Sequence, residues 1–417
     1  MSEWKSLSSI TSKIGSGSTP RGGNSVYSDS GISFIRSQNV LDMDFSTENL
    51  AFINDNQAEK LNNVIVEKND ILLNITGDSI ARCTVVPEEI LPARVNQHVS
   101  IIRCKNTEES KYVMYYLQYM KKYLLQISKV GGTRNALTKE AIGKLPIKIS
   151  DDCNKISKIL DNIDQKIHIN NQINQELEAM AKTLYDYWFV QFDFPDQNGK
   201  PYKSSGGKMV YHPELKREIP EGWGVEKIED IAQTGSGGTP KSTNVSYYSN
   251  GEIPWINSGE LEQTVITSTS NFITEEGLNN SSAKLFPSGT ILVAMYGATA
   301  GKVSFLTFEA STNQAICAIM LTDFRMRYYL KNVIEDLYQY LVKLSTGSAR
   351  DNLSQDMIKN IKVVIPSNDI LDRFYDFSNN IIKEITKKQQ ENEQLTQLRD
   401  WLLPMLMNGQ VKVEKRK

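Results

Sequence analysis

The stretch Gly15-Ser16-Gly17-Ser18-Thr19-Pro20-Arg21 returns 220 residues later as Gly235-Ser236-Gly237-Gly238-Thr239-Pro240-Lys241. Further matches follow in the same order at slowly falling offsets: Asn96-Gln97 with Asn313-Gln314, and Leu184-Tyr185-Asp186-Tyr187 with Leu398-Arg399-Asp400-Trp401. Collinear matches with a drifting offset indicate two copies of one unit that differ by small deletions. The sequence therefore predicts a tandem duplication.

Each copy opens with a region in which short apolar runs alternate with polar turns. In the first copy the runs are Val64-Ile65-Val66, Ile71-Leu72-Leu73 and Val99-Ser100-Ile101-Ile102, and one helical stretch lies near 111–128. Short runs of this kind, bounded by Gly, Asn, Asp and Ser, are typical of strands. We therefore expect an α+β domain in each copy.

A long amphipathic segment follows each domain, with apolar residues that step by four and three. These residues are Ile156, Leu160, Ile163, Ile167, Ile173, Leu177, Met180, Leu184 and Tyr187 in the first copy, and Ile370, Phe374, Phe377, Ile381, Ile385, Leu395, Leu398, Leu402 and Met405 in the second. The spacing predicts two long helices that bury their stripes against each other in antiparallel order. Polar residues interrupt both stripes, at 170–174 and 388–392, where we expect them to fix the register.

The predicted fold class is α+β, with two tandem α/β domains separated by two long antiparallel coiled-coil helices in a pseudo-two-fold internal repeat. Each domain is expected to have its own core. The predicted boundaries are 1–150 for the first domain, 151–190 for the central helix, 191–222 for a linker rich in Gly, Pro and Lys, 223–366 for the second domain and 367–410 for the C-terminal helix.

The composition limits the function classes. The chain has 417 residues, with 47 Lys and Arg against 49 Asp and Glu and a formal net charge of −2. This balance excludes a globally basic nucleic-acid-binding protein, so any DNA binding must use local patches. The four cysteines form no CxxC pair, and the sequence shows neither a signal peptide nor a membrane-spanning apolar run. We expect a cytoplasmic protein.

No cluster of nucleophile, base or metal ligands indicates an active site. The stretch 297–303 is similar to a phosphate-binding loop, but Val303 stands where Ser or Thr must bind magnesium. A metal-dependent nuclease is the enzymatic alternative, since Asp196, Glu214 and Lys216 have the spacing of residues that hold magnesium in such enzymes. Because these residues lie in the linker rather than on a rigid sheet, we expect neither catalysis nor a metal site.

Polar side chains suited to DNA gather in the loops that end the apolar runs. Arg and Lys can pair with phosphates or guanine, and Asn and Gln can pair with adenine. The candidates are Thr19, Arg21, Arg82, Arg94, Asn96, Gln97, His98, Arg134 and Asn135 in the first copy, and Thr239, Lys241, Lys302, Asn313, Gln314, Arg350 and Asn352 in the second. The alternative for each is a solvated turn, and the Asn-Gln pairs could instead tie a strand end to a neighbouring loop.

With these residues the chain resembles the specificity subunits of type I restriction-modification systems. Beside the loops at 15–20 and 235–240, the resemblance rests on Leu184-Tyr185-Asp186-Tyr187-Trp188-Phe189, on the segment 199–209, on Arg217-Glu218-Ile219-Pro220-Glu221-Gly222-Trp223 and on the segment 402–409. Together these cover both copies and both helices. One departure is Ala81-Arg82, where the second copy has Gly301-Lys302. It puts a shared contact at that turn in doubt.

The resemblance implies two target-recognition domains that each read one half of a split, asymmetric site in double-stranded DNA. It implies that the helices are a spacer and a docking platform for two modification subunits. S-adenosylmethionine then belongs to those subunits, and ATP and magnesium to restriction subunits, so this chain would be a non-catalytic reader without a cofactor. The alternatives from other classes are the nuclease and a duplicated scaffold with no DNA role.

Overall fold

The computed structural model describes residues 3–20, 22–129, 135–345, 353–411 and 413. The chain divides into two compact units: unit 1 comprises Met1–His168 with Glu393–Lys417, and unit 2 comprises Ile169–Asn392. Each unit therefore holds one copy of the repeat and part of both long helices. In the part of the chain described, no helix is long and apolar enough to cross a membrane.

The described part of the first copy contains ten strands and five short α-helices. The strands are β1 (Glu3–Ser6), β2 (Thr11–Ser16), β3 (Ile32–Ile35), β4 (Ala51–Ile53), β5 (Ile65–Val66), β6 (Ile71–Asn74), β7 (Cys83–Val85), β8 (Ala93–Val95), β9 (Val99–Cys104) and β10 (Pro146–Ile149). The helices are α1 (Leu7–Ile10), α2 (Asp55–Glu59), α3 (Ser110–Tyr119), α4 (Lys121–Ile127) and α5 (Lys139–Gly143), followed by the long α6 (Cys153–Tyr185). The predicted apolar runs and the helical stretch near 111–128 are confirmed.

The second copy has the corresponding strands and, in addition, the hairpin β11-β12 and the edge strand β16. The strands are β11 (Met209–His212), β12 (Arg217–Pro220), β13 (Gly224–Lys227), β14 (Ala232–Ser236), β15 (Ile253–Ile256), β16 (Val265–Ile266), β17 (Phe272–Ile273), β18 (Leu285–Phe286), β19 (Ile291–Ala294), β20 (Val303–Leu306), β21 (Ala310–Thr312), β22 (Ile316–Leu321) and β23 (Lys362–Ile365). The helices are α7 (Ile228–Ile231), α8 (Glu275–Asn279), α9 (Arg327–Ser345), α10 (Gln355–Lys359) and the long α11 (Asn368–Asn408).

The sheet topology confirms the duplication. The larger sheets have the orders β2-β9-β6-β7 and β4-β3-β8-β5 in unit 1, and β14-β22-β19-β20-β16 and β17-β15-β21-β18 in unit 2. One central pair in the second sheet of each unit is parallel, β3 with β8 and β15 with β21. A two-stranded sheet, β1-β10 or β13-β23, closes each copy. The predicted α+β class with an internal repeat is therefore correct.

The long helices pair in antiparallel order, as predicted. In unit 2, Asn170 of α6 donates from Nδ2 to Oδ1 of Asn392 in α11 at 2.9 Å, while Tyr185 packs on Phe374 with ring centroids 6.5 Å apart. Asn170 is fully buried, so the polar centre lies in the seam. Its role in register stays a prediction.

The predicted apolar stripe of α6 is only partly confirmed in its second half, where Leu177 and Leu184 pack against the core of unit 2. Ile173, Met180 and Tyr187 are 37%, 53% and 38% exposed, whereas Asn174 is buried. A strict alternation of four and three drifts from the 3.6-residue turn, so a stripe extended over many turns leaves the buried face. The buried face of α6 therefore follows the 3.6-residue turn instead of the extrapolated steps of four and three residues.

The segment 191–222 is an ordered part of unit 2. Phe192 and Phe194 are buried, and the Phe194 ring stacks on Trp223 with centroids 4.9 Å apart. Asp193 accepts hydrogen bonds from N and Oγ of Ser204 at 2.7 and 2.6 Å, and β11 pairs with β12. The composition predicted a linker, and the structure shows an aromatic-anchored hairpin.

Candidate nucleic-acid interface

A threonine and a glutamine are joined at the same corner of both domains. Oγ1 of Thr19 donates a hydrogen bond to Oε1 of Gln97, and Thr239 donates in the same way to Gln314. The threonines belong to the Gly-Ser-Gly-x-Thr-Pro loops after β2 and β14, and the glutamines precede β9 and β22. All four side chains are exposed. We call these contacts the Thr–Gln pairs.

A glycine in each loop allows this contact. A Cβ atom on Gly17 would lie 2.0 Å from the carbonyl oxygen of Val95, and one on Gly237 would lie 2.0 Å from that of Thr312. No side chain fits at that distance, so the loop can close over the strand end only with glycine there. The repeated loop sequence thus places the threonine against the glutamine.

The asparagine before each glutamine has a different role. Oδ1 of Asn96 accepts from the backbone N–H of His98 at 3.0 Å, and Oδ1 of Asn313 accepts from that of Ala315 at 3.1 Å. Asn96 is buried. Both asparagines therefore shape the turn, which is the structural alternative stated above, while the neighbouring glutamines face outward.

The turns after β6 and β19 have the same backbone although their sequences differ. Ala81 and Gly301 both adopt the left-handed conformation, with φ of 68° and 80°. Each donates its N–H to the last residue of the preceding strand, at 2.9 and 2.7 Å. Arg82 and Lys302 therefore occupy equivalent positions, and the missing glycine in the first copy does not change the turn.

In unit 1 a cavity of about 890 Å³ lies beside the Thr–Gln pair. Its lining includes Arg82, Asn135 and His98, all candidates from the sequence. It also includes Thr76 and Asp78, which were not among the predicted residues. The signal for them was a short polar turn directly after the apolar run of β6. We call this space the first-domain cavity.

The other exposed candidates lie in unit 2. Lys241 is exposed two residues after Thr239. Lys302 is exposed at the edge of a cavity of about 590 Å³, whose lining also includes Asn171 and Asn174 of α6. Four further candidates, Arg21, Arg134, Arg350 and Asn352, lie outside the described residues.

Arg94 does not face the outside. Its side chain is buried, and its guanidinium donates to the carbonyl oxygens of Ala58 and Ala93 at 3.3 and 3.1 Å and to Asn62 at 3.5 Å. Burial lowers the pKa of Arg94. Since a guanidinium held by interior acceptors is not presented to a phosphate, the structure assigns Arg94 to the core of unit 1 instead of the interface.

The carboxylates of the nuclease alternative have partners of their own. Oδ1 of Asp196 accepts from the backbone N–H groups of Asn198 and Lys200 at 2.7 and 2.8 Å, which closes a local turn. Glu214 pairs with Lys362 at 3.1 Å, and this contact lowers the pKa of Glu214. Within the described ranges no three His, Cys, Asp or Glu residues are grouped as ligands for a metal ion.

Comparisons with known proteins agree with this architecture. The family model described as type I restriction modification DNA specificity domain matches residues 1–179 and 220–397. The chain is 28% identical over 337 residues to the type I restriction enzyme MjaIX specificity subunit of Methanocaldococcus jannaschii, covering 78% of this chain and 74% of that protein. It is 27% identical over 334 residues to the HindI specificity subunit of Haemophilus influenzae, covering 67% and 72%.

A solved structure shares the fold. The S subunit of a type I restriction-modification system from M. genitalium matches with a TM-score of 0.56 over 99% of this chain and 97% of that one. The sequence identity is 13%, so this match concerns the fold alone.

Proposed function

Since this chain belongs to the family of type I restriction modification DNA specificity domains, we propose that it reads a double-stranded DNA site in two halves, one half per domain. In this proposal the chain is not an enzyme. It works in the cytoplasm with two modification subunits and with restriction subunits, which supply S-adenosylmethionine, ATP and magnesium.

The observation that carries the proposal is the repetition of the Thr–Gln pair. Two domains of the same topology hold exposed hydroxyl and amide groups at the same corner, joined by the same hydrogen bond. Such groups, together with nearby Arg and Lys side chains, can bind phosphates and base edges. Because these side chains are exposed instead of packed in a core, the pairs favour DNA binding over a scaffold without a ligand.

Exposed apolar side chains on the long helices support docking of partner subunits. Leu398 and Trp401 of α11 are 42% and 57% exposed, and Tyr187, the counterpart of Trp401 in the repeat, is 38% exposed. Surface aromatics of this size favour a protein interface. Trp401→Ala should therefore weaken assembly with a modification subunit, measured by size-exclusion chromatography with light scattering. Unchanged assembly would contradict docking at this face.

The test of DNA reading is a domain exchange in the assembled complex. Residues 223–366 are replaced by the equivalent domain of a relative, and methylated sites are mapped across a genome. We expect one half-site to change and the other to persist, because each copy has its own loops and its own cores. Loss of both half-sites by a complex that still assembles would contradict independent readers.

The assembled complex is the appropriate sample because the chain alone has little electrostatic attraction for DNA. A net charge of −2 offers little counterion release, which dominates sequence-independent binding. We expect the isolated chain to bind DNA weakly. Tight and site-specific binding by the purified chain would contradict this part of the proposal.

A further inference from the structure

The two domains place different side chains at equivalent backbone positions, and this locates the source of their different specificities. The argument rests on the proposed function, in which the halves of the site differ. A contact that is identical in both domains cannot distinguish two different half-sites. The half-sites must therefore be distinguished by positions at which the two domains carry different side chains on the same backbone.

The Thr–Gln pairs are the shared contact. They have the same residue types, the same hydrogen bond and the same exposure in both units. Groups of this kind commonly bind the sugar-phosphate backbone, which is common to every half-site. The Thr–Gln pairs therefore fix the position of each domain on the duplex.

The first-domain cavity contains positions that differ. His98 and Thr76 of unit 1 correspond to Ala315 and Tyr296 of unit 2. The backbone frame is the same, since the residue before position 76 or 296 donates its N–H to the carbonyl oxygen of His98 or Ala315, at 2.9 and 2.7 Å. His98 and Thr76 form one wall of this cavity, and unit 2 has no such pair of side chains at the equivalent positions.

Hydrogen bonds define that wall. Because Oε1 of Gln97 accepts from Thr19, its Nε2 donates to Nε2 of His98 at 3.1 Å. The Nδ1 atom of His98 then carries the proton and donates to Oγ1 of Thr76 at 2.5 Å. The chain of bonds fixes the imidazole between the Thr–Gln pair and the turn that contains Asp78 and Arg82.

Arg82 and Asp78 are the charged groups that line this cavity. Neither side chain has a hydrogen-bond or ion-pair partner among the described residues. A guanidinium can donate to both O6 and N7 of guanine, and a carboxylate can accept from N4 of cytosine. We infer that Arg82 and Asp78 read one G·C base pair in the first half-site, with His98 as a positioning residue.

The test uses the complete complex and a set of duplexes that carry every base pair at every position of its mapped site. Arg82→Ala should reduce the preference for G·C at one position of the first half-site by about 5- to 150-fold, the range expected for one base contact. Asp78→Asn should relax the same position. Preferences in the second half-site should persist, which also shows that the variants fold and assemble.

Matched variants separate reading from positioning. Lys302→Ala, at the equivalent position of unit 2, should leave the first half-site unchanged. Gln314→Ala, in the Thr–Gln pair that has Ala315 instead of a histidine beside it, should weaken binding to all duplexes equally. His98→Ala, which introduces the residue of unit 2, should relax the same G·C position as Arg82→Ala. His98→Gln should restore the preference, because an amide can also donate to Thr76 and accept from Gln97.

Two results have different meanings. If Arg82→Ala weakens all duplexes equally, or if the first half-site contains no G·C preference, this inference is overturned while DNA reading stands. If the wild-type complex shows no sequence preference, the proposed function itself fails.

Discussion

The two units join their domain to the long helices at the same place by different means. In unit 1, Asp164 of α6 pairs with Arg399 of α11 at 2.8 Å and accepts from the hydroxyl of Tyr115 at 2.5 Å. The repeat places Ser378 at the position of Asp164 and Tyr185 at that of Arg399. One junction is a buried charged cluster, whereas the other is mainly aromatic, with the ion pair of Lys182 and Asp336 at 3.0 Å beside Tyr185.

Unit 2 relies on aromatic packing at this junction. Phe189 packs on Phe374 and on Tyr329 with ring centroids 4.8 and 4.6 Å apart, and Phe374 is fully buried. Oγ of Ser378 is buried and has no hydrogen-bond partner among the described residues, and its side chain lines a cavity of about 420 Å³. The comparison shows that the same fold can stabilise this junction mainly by a hydrogen-bonded ion pair or mainly by aromatic packing.

The largest expected effect is the loss of the charged cluster. Among the described residues, Asp164→Ala leaves the exposed carboxylate of Asp400 as the remaining ion-pair partner of the Arg399 guanidinium, which is 14% exposed. Removing one partner of a buried pair costs about 3–5 kcal/mol, and we expect the lower end because Asp400 remains. Hydrogen exchange of the α3 amides in unit 1 measures this, while those of α9 in unit 2 should be unchanged.

Asp161 provides the control in the same helix. Its pair with Lys111 is exposed on the lysine side, so Asp161→Ala should cost at most about 1 kcal/mol. Equal effects of the two variants would show that burial does not decide the strength of the cluster.

A second variant should recover most of the unfolding free energy that Asp164→Ala loses. Replacing the cluster with apolar residues, Asp164→Leu with Arg399→Leu and Tyr115→Phe, should return the free energy of unfolding to within about 1 kcal/mol of the wild type. Burial raises the pKa of Tyr115, so its hydroxyl stays protonated and needs an acceptor; the phenylalanine removes that requirement. A triple variant as unstable as Asp164→Ala would mean that unit 1, unlike unit 2, cannot use apolar packing here.

Much of this architecture follows from sequence periodicity. The duplication, the two helices and the loops of the Thr–Gln pairs were predicted, because repeats and amphipathic spacing survive in the sequence. Phe192, Phe194 and Trp223 were hidden in a segment whose Gly, Pro and Lys content suggested a linker, since their contacts have no period. The burial of Arg94 was also missed, because one charged residue between Ala93 and Val95 is compatible with either face of a strand.

The site was predictable only in part for a related reason. The residues of each Thr–Gln pair were identified, but their pairing required a loop to close over a distant strand end. Thr76 and Asp78 were not identified, since a polar turn after a strand is common. Their importance follows from the cavity that they share with Arg82.

The carboxylate of Asp193 in unit 2 makes a contribution to stability that should respond to pH. Hydrogen bonds from Ser204 lower the pKa of Asp193 below its ordinary value of about 3.9. A depressed pKa adds stability that is present above the unfolded-state value and is lost as the pH falls through the folded-state value. The difference in unfolding free energy between wild type and Asp193→Asn should therefore shrink below about pH 4. Urea unfolding followed by tryptophan fluorescence measures it, and a constant difference would contradict the linkage.

The smallest effect should come from the counterpart of Asp164. Ser378→Ala removes a buried hydroxyl that has no hydrogen-bond partner in the described part of the chain, and alanine is the better helix former. We therefore expect unit 2 to become more stable by about 1 kcal/mol. Ser157 in α6 is the matched control, because its buried hydroxyl donates to the carbonyl oxygen of Asn154 at 3.1 Å. Ser157→Ala should therefore gain less than Ser378→Ala, or lose stability. Hydrogen exchange of α9 and α3 reports the two units separately. If Ser378→Ala destabilises unit 2 instead, the hydroxyl is bound in solution, and the aromatic junction of unit 2 depends on that polar contact.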